Sequence, residues 1–213
     1  MRGPTLKLYG PVNRLSPNTL KLRVALAEVD AVYEYLPIDL AKGEQLTPEF
    51  LAINPHGKVP VLVEDDFILP ESDAILFYIA ERYPEPRLLP GGPRERARTL
   101  QWCDFASTAL YPAYYDVYLH TQAAVPERRL ATVAESGQKR FERALAVLDK
   151  LLGEQPFLVD DFSIADIAVA AVMRAARERV PYSADAHPAI EGWFARITGR
   201  PAWTSAMKAG ETR

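Results

Sequence analysis

The chain has 213 residues, enough for one large domain or two small ones, each with its own core. Its 25 basic and 28 acidic residues are interspersed, giving a net charge of −3, so neither a basic face nor a nucleic-acid partner is expected. No apolar run reaches the length of a membrane span, MRGPTLKLYG lacks the apolar stretch of a secretory signal, and a single cysteine, Cys103, excludes an intrachain disulfide; the cytoplasm is the expected location.

Along the chain, Leu6 to Tyr9 reads as a short strand and Asn13 to Pro17 as a polar loop. Thr19 to Val29 places Leu20, Val24, Leu26 and Ala27 at helical spacing. Tyr33 to Ile38 reads as a second strand and Pro48 to Ile53 as a short helix. Val59 to Val63 and Phe67 to Leu69 read as two strands joined by the acidic turn Glu64-Asp65-Asp66. A helix over Ser72 to Arg82 completes a βαβαββα order, which predicts a small mixed sheet covered by helices. Tyr83 to Pro93 is rich in helix breakers and reads as a linker. Beyond it, helices are predicted over Arg94–Gln122, Pro126–Leu152, Ser163–Arg179, Pro188–Thr198 and Pro201–Lys208. The expected organisation is therefore an α/β domain over residues 1–83, a linker over 84–93 and an all-helical domain over 94–213.

Three segments carry chemistry, and each has two readings on its own. In Asn54-Pro55-His56-Gly57-Lys58-Val59-Pro60-Val61-Leu62, the proline removes a ladder donor and belongs at a strand start or edge. It is either an ordinary trans proline or a cis one that leaves the Val59 N–H and C=O open to an extended peptide ligand. In Pro70-Glu71-Ser72-Asp73-Ala74-Ile75, Ser72 either caps a helix or belongs to an anion-binding helix N-terminus, beside which Glu71 holds an ammonium. In Ser16-Pro17-Asn18, the hydroxyl and amide either cap a helix or donate to a thiolate.

In their order and spacing these segments resemble the cytosolic glutathione transferase family: a serine after the first strand, N-P-x-G-K-V-P-x-L before the third, and E-S-x-A-I opening the third helix. The resemblance implies a thioredoxin-like N-terminal domain followed by a helical-bundle domain that shapes a second-substrate pocket. It implies that Pro60 is cis, that the Val59 backbone pairs with the cysteinyl residue of glutathione, that Glu71 and Ser72 hold the γ-glutamyl end, and that Lys58 approaches the glycyl carboxylate. Lys42-Gly43-Glu44-Gln45 is similar to the K-G-x-Q of a bacterial group with T-P-N in place of S-P-N, which adds Gln45 as a candidate for the glycyl end. Members of that group include disulfide reductases.

The family's thiol-contacting residue is a tyrosine, a serine or threonine, or a cysteine. No cysteine precedes Cys103, so the cysteine version is excluded. Tyr9 ends the first strand and competes with Ser16; S-P-N favours Ser16, with Asn18 as partner or principal donor. In the helical part, Ser163-Ile164-Ala165-Asp166 reads as a capping box with a structural role, and Val159 stands where the family often has glycine. Of the aromatics between Trp102 and Tyr118, most are expected in the core, and Tyr111 and Tyr115 are expected to line the pocket, opposite the Asn13–Ser16 loop.

The expected function is activation of the glutathione thiolate for attack on a small hydrophobic electrophile, a detoxification chemistry. Glutathione acts as co-substrate and no other cofactor is expected. His56, His120 and His187 show no metal-ligand spacing, so no metal site is expected. The alternatives are a glutathione-dependent disulfide-bond oxidoreductase and a non-catalytic glutathione-binding protein of the same fold. A homodimer, joining the N-terminal unit of one subunit to the helical unit of the other, is implied by the resemblance.

Overall fold

The computed structural model describes residues 6–12 and 16–208. These divide into two compact units, one containing the chain up to Arg87 together with the helix Pro201–Lys208, the other running from Leu88 to Arg200.

The first unit is built on a sheet of β1 (Leu6–Pro11), β2 (Glu34–Ile38), β3 (Val61–Glu64) and β4 (Phe67–Pro70), in the order β2-β1-β3-β4. β2 runs parallel to β1 through the crossover helix α1 (Pro17–Glu28), whereas β3 and β4 are antiparallel to their neighbours. Strand alternation sends Leu6, Leu8 and Gly10 to one face and Lys7 and Tyr9 to the other. Glu64, opposite Leu6, accepts a hydrogen bond from Tyr78 of α3 (Ser72–Arg82), so the Leu6–Leu8 face is the one that α3 covers. Gly10 leaves room there that a side chain would fill: a Cβ on it would collide with the Tyr35 hydroxyl, which donates to the Pro11 carbonyl at 2.7 Å. On the opposite face, Tyr9 packs edge-to-face on Phe50 of α2 (Pro48–Ile53), with ring centroids 6.0 Å apart.

The second unit opens with one continuous helical rod. α4 (Pro93–Phe105) passes through a π-helical turn, Ala106–Leu110, into α5 (Tyr111–Tyr118), and a second π-helical turn follows over Leu119–Ala123. Pro112 has no N–H to give to the preceding turn, and the wider π turn lies directly before it. The rod matches the helix predicted over Arg94–Gln122. α6 (Ala131–Leu152), α7 (Ile164–Arg179) and α8 (Pro188–Thr198) complete this unit. α7 is apolar nearly all round, with every residue from Ile164 to Met173 buried.

Three expectations need correction. The helix predicted from Pro126 begins only at Ala131, after a short 3-10 turn over Pro126–Arg128. Arg129 and Leu130 are extended between them, held by donation from Arg129 to the Gln122 and Ala124 carbonyls and by the Leu130 N–H donating to His120 Nδ1. The linker expected over 84–93 is only partly one: Leu88 and Leu89 are buried, and the Leu88 carbonyl accepts from Ile164 N at 2.9 Å. Last, α9 (Pro201–Lys208), expected in the helical domain, belongs with the first unit. It packs on α1, and the buried Arg23 guanidinium donates to the Ala206 carbonyl.

Candidate functional site

The sheet register brings the three sequence segments to one place. Tyr9 near the end of β1 is paired with Val61 at the start of β3, and Val61 is paired with Pro70 at the end of β4. The chain leaving β1 towards Ser16, the chain entering β3 through Val59-Pro60, and the chain leaving β4 into Glu71 therefore meet at one end of the sheet. β2 ends there as well, Pro11 being paired with Ile38, which delivers the Asp39–Leu46 segment. α1 and α3 both begin at this end, so both helix N-termini, the positive ends of the helix dipoles, lie at the same end of the sheet.

Ser16 is the N-terminal flanking residue of α1. Its carbonyl accepts from Thr19 N and Leu20 N at 3.0 and 2.8 Å, but its half-buried side chain makes no capping bond. Asn18 lies in the first turn and is also half-buried. The hydroxyl and the amide are thus carried at the helix start without being consumed by it. Residues 13–15, expected as one wall of the second-substrate pocket, lie outside the described residues.

Val59 precedes a cis peptide to Pro60, as the resemblance implied. β3 begins at Val61, two residues later than the predicted strand, so Val59 stands outside the ladder. Among the described residues, neither its N–H nor its C=O has a backbone hydrogen-bond partner. Asn54, quoted in the motif but given no role there, organises this turn. Buried in the fold, it donates from Nδ2 to the Lys58 carbonyl at 2.8 Å and accepts at Oδ1 from His56 N at 3.1 Å. Gly57, at φ +60°, closes the turn where a side chain would be strained. The exposed Lys58 has no carboxylate partner among the described residues.

Gln45 reaches the same turn from β2. Its backbone oxygen lies 3.1 Å from where a Cβ of Gly57 would be, and its buried Oε1 has no hydrogen-bond partner among the described residues. The segment carrying it is held by Asp39, which accepts from Ala41 N and Lys42 N, and by Glu44, whose carboxylate accepts from Asp39 N at 2.7 Å.

α3 covers Ser72–Arg82 as expected, but the capping position falls on Glu71 and not on Ser72. Ser72 is the first helical residue, and Glu71 occupies the flanking position before it, without a side-chain capping bond. Glu71 is exposed and adopts φ +71°, ψ 114°, a region that costs a non-glycine residue about 1–3 kcal/mol. The turn carries the chain sharply from β4 into α3, and among the described residues no side chain caps the first-turn N–H groups.

In the second unit, Tyr111 and Tyr115 stack with centroids 5.5 Å apart and ring planes 11° apart. Tyr115 is exposed, whereas Tyr114 and Trp102 are buried in the core, as expected. Burial, with the neighbouring Tyr115 and Tyr114, pushes the Tyr111 hydroxyl up to about 12, so it is a neutral hydrogen-bonding group at ordinary pH. Arg179 donates to the Tyr114 hydroxyl at 3.1 Å and lies 4.9 Å from the Tyr118 ring centroid. The capping box is formed as predicted: the Ser163 hydroxyl accepts from Ala165 N, and the Asp166 carboxylate accepts from Ser163 N. Among the described residues no cluster of metal-ligating side chains is present, and no helix is long and apolar enough to cross a membrane.

A β-α-β crossover followed by an antiparallel hairpin and a helix, with helix N-termini and an open peptide gathered at one sheet end, defines a thioredoxin-like ligand-binding domain. Residues 4–81 match the family model of the glutathione S-transferase N-terminal domain, and residues 109–201 that of the C-terminal domain. The chain is 35% identical over 201 residues to the disulfide-bond oxidoreductase YfcG of Escherichia coli, covering 90% of this chain and 91% of that one. It is 35% identical over 170 residues to a zeta-class glutathione S-transferase of Euphorbia esula, covering 75% of this chain and 73% of the relative. The solved glutathione transferase URE2P6 of Phanerochaete chrysosporium, in complex with oxidized glutathione, superposes with a TM-score of 0.88 at 27% identity, over 98% of this chain and 97% of that one. The chain belongs to the glutathione S-transferase family.

Proposed function

We propose that this glutathione transferase binds glutathione as an extended peptide across the end of the sheet and activates its thiol for nucleophilic attack. In this reading the Val59 N–H and C=O, cis to Pro60, pair with the cysteinyl residue as an added strand would. Glu71 holds the γ-glutamyl ammonium, and Ser72 with the α3 N-terminus holds its carboxylate. Gln45 and Lys58 hold the glycyl end. Ser16 and Asn18 donate to the sulfur and favour its deprotonated form. The thiol proton leaves to solvent, and the thiolate forms a bond to the electrophilic carbon of a small hydrophobic molecule. Any leaving group departs with its bonding electrons. The protein acts as a cytoplasmic homodimer.

The observation that carries this reading is the convergence, through the pairings Tyr9–Val61 and Val61–Pro70, of an unpaired peptide with two helix starts whose side-chain caps are unused. Titration calorimetry tests it: glutathione should bind saturably at millimolar concentration or below. Glu71→Ala should weaken binding by about 1.5–3 kcal/mol. Absence of binding, or wild-type affinity in the variant, contradicts the placement.

A second reading is supported by the likeness to YfcG over nine-tenths of the chain. Here two glutathione thiols are oxidised to their disulfide while a substrate disulfide is reduced to two thiols. Turnover of a model disulfide without conjugation of an aryl halide would select it.

A further inference from the structure

The first unit holds an ion pair that none of the roles above uses. Lys21, in the second turn of α1, has a side chain only 3% exposed, and its ammonium lies 2.5 Å from Asp73 Oδ1, whose side chain is 29% exposed. Burying an ammonium is costly, and an apolar pair of similar size would serve packing as well or better. Stability alone therefore does not account for the pair.

Its position suggests another role. Asp73 is the second residue of α3, immediately after Ser72. A carboxylate in the first turn of a helix occupies the same positive potential that an anionic ligand would use. Left uncompensated, Asp73 would repel a ligand carboxylate arriving at the α3 N-terminus. Lys21 removes that repulsion: its ammonium cancels the Asp73 charge from the buried side, while the open N–H groups of α3 remain available on the other. The pair also ties the helix that carries Ser16 and Asn18 to the one that follows Glu71.

We propose that Lys21 is a positioning and charge-compensating residue of the glutathione site, holding Asp73 so that the α3 N-terminus stays selective for the γ-glutamyl carboxylate. The inference rests on the assignment of that carboxylate to α3.

The test compares two ligands, glutathione and γ-aminobutyryl-cysteinyl-glycine, the same peptide without the α-carboxylate of its first residue. Wild type should prefer glutathione by about tenfold or more. In Lys21→Met, affinity for glutathione should fall about tenfold while affinity for the analogue stays within about twofold, so the preference collapses. Lys21→Arg, which keeps the charge, should behave as wild type, and the double variant Lys21→Met/Asp73→Asn should regain the preference. Should Lys21→Met fail to fold, Lys21→Gln, which keeps a hydrogen bond to Asp73 without the charge, is expected to show the same collapse. A folded Lys21→Met or Lys21→Gln protein with the wild-type preference overturns the role of Lys21. A wild type that binds both ligands equally overturns the carboxylate assignment itself, and the inference with it.

Discussion

Two kinds of helix start, one at each end of the chain, show what a serine in that place can do. At α7 the Ser163 hydroxyl accepts from Ala165 N, and the Asp166 carboxylate collects Ser163 N, Leu158 N and the Trp193 indole N–H. At α1 and α3 the flanking residues Ser16 and Glu71 make no side-chain capping bond, and Glu71 is held at a positive φ. Ser16 and Ser163 carry the same residue type at the same kind of position. One spends its polar groups on the fold, and the other leaves them unspent. A helix start left open by the side chains beside it, among loops gathered at a sheet end, is where a ligand has something to bind.

The largest expected effect comes from breaking the closed start. Asp166→Ala leaves three donors without their acceptor in the core and should cost about 3–5 kcal/mol in denaturant unfolding. The glutathione affinity of the folded variant should stay within about twofold of wild type. A large loss of affinity at wild-type stability would reverse the roles assigned to the two regions.

Breaking the open start should act the other way. Glu71→Gly relieves a backbone conformation that glycine adopts freely and should stabilise the protein by about 1 kcal/mol. The same change should weaken glutathione binding about tenfold or more, because the carboxylate is gone. Stability and binding then move in opposite directions at one residue. If both fall together, the positive φ is not held for the ligand.

A smaller difference sharpens the comparison of the two serines. Ser163→Ala should cost about 1 kcal/mol, the usual value of an N-cap. Ser16→Ala should change stability by less than about 0.5 kcal/mol, since it removes no capping bond. Equal costs at both positions would mean that Ser16 caps α1 in solution.

Much of this arrangement was legible because its signals are local. Pro48 and Ser72 mark the starts of α2 and α3 where those helices begin, and Ser163 with Asp166 announces the capping box three residues apart. The N-P-x-G-K-V-P segment pointed to the turn that Asn54 and Gly57 build. What was not legible depends on residues that meet only in the folded chain. The open hydroxyl of Ser16 and the positive φ of Glu71 are facts about bonds not made and a turn forced by β4. The Gln45 backbone oxygen meets Gly57 only once both loops are in place. Lys21 finds Asp73 across 52 residues, which no local pattern encodes. The reach of the first unit was misjudged for the same reason, since the docking of α9 on α1 is written in neither helix alone.

The glutathione thiol is the group whose ionisation separates Ser16 and Asn18 from Tyr9 most directly. Its absorbance as thiolate, titrated against pH in the glutathione complex, should give a pKa below the ~8.5 of a free thiol. Ser16→Ala and Asn18→Ala should each return it part of the way, and the double variant nearly all of it, with glutathione still bound. Tyr9→Phe should leave it unchanged, because that ring is packed on Phe50. A pKa that rises in Tyr9→Phe and holds in both loop variants would contradict the assignment of the thiolate to Ser16 and Asn18.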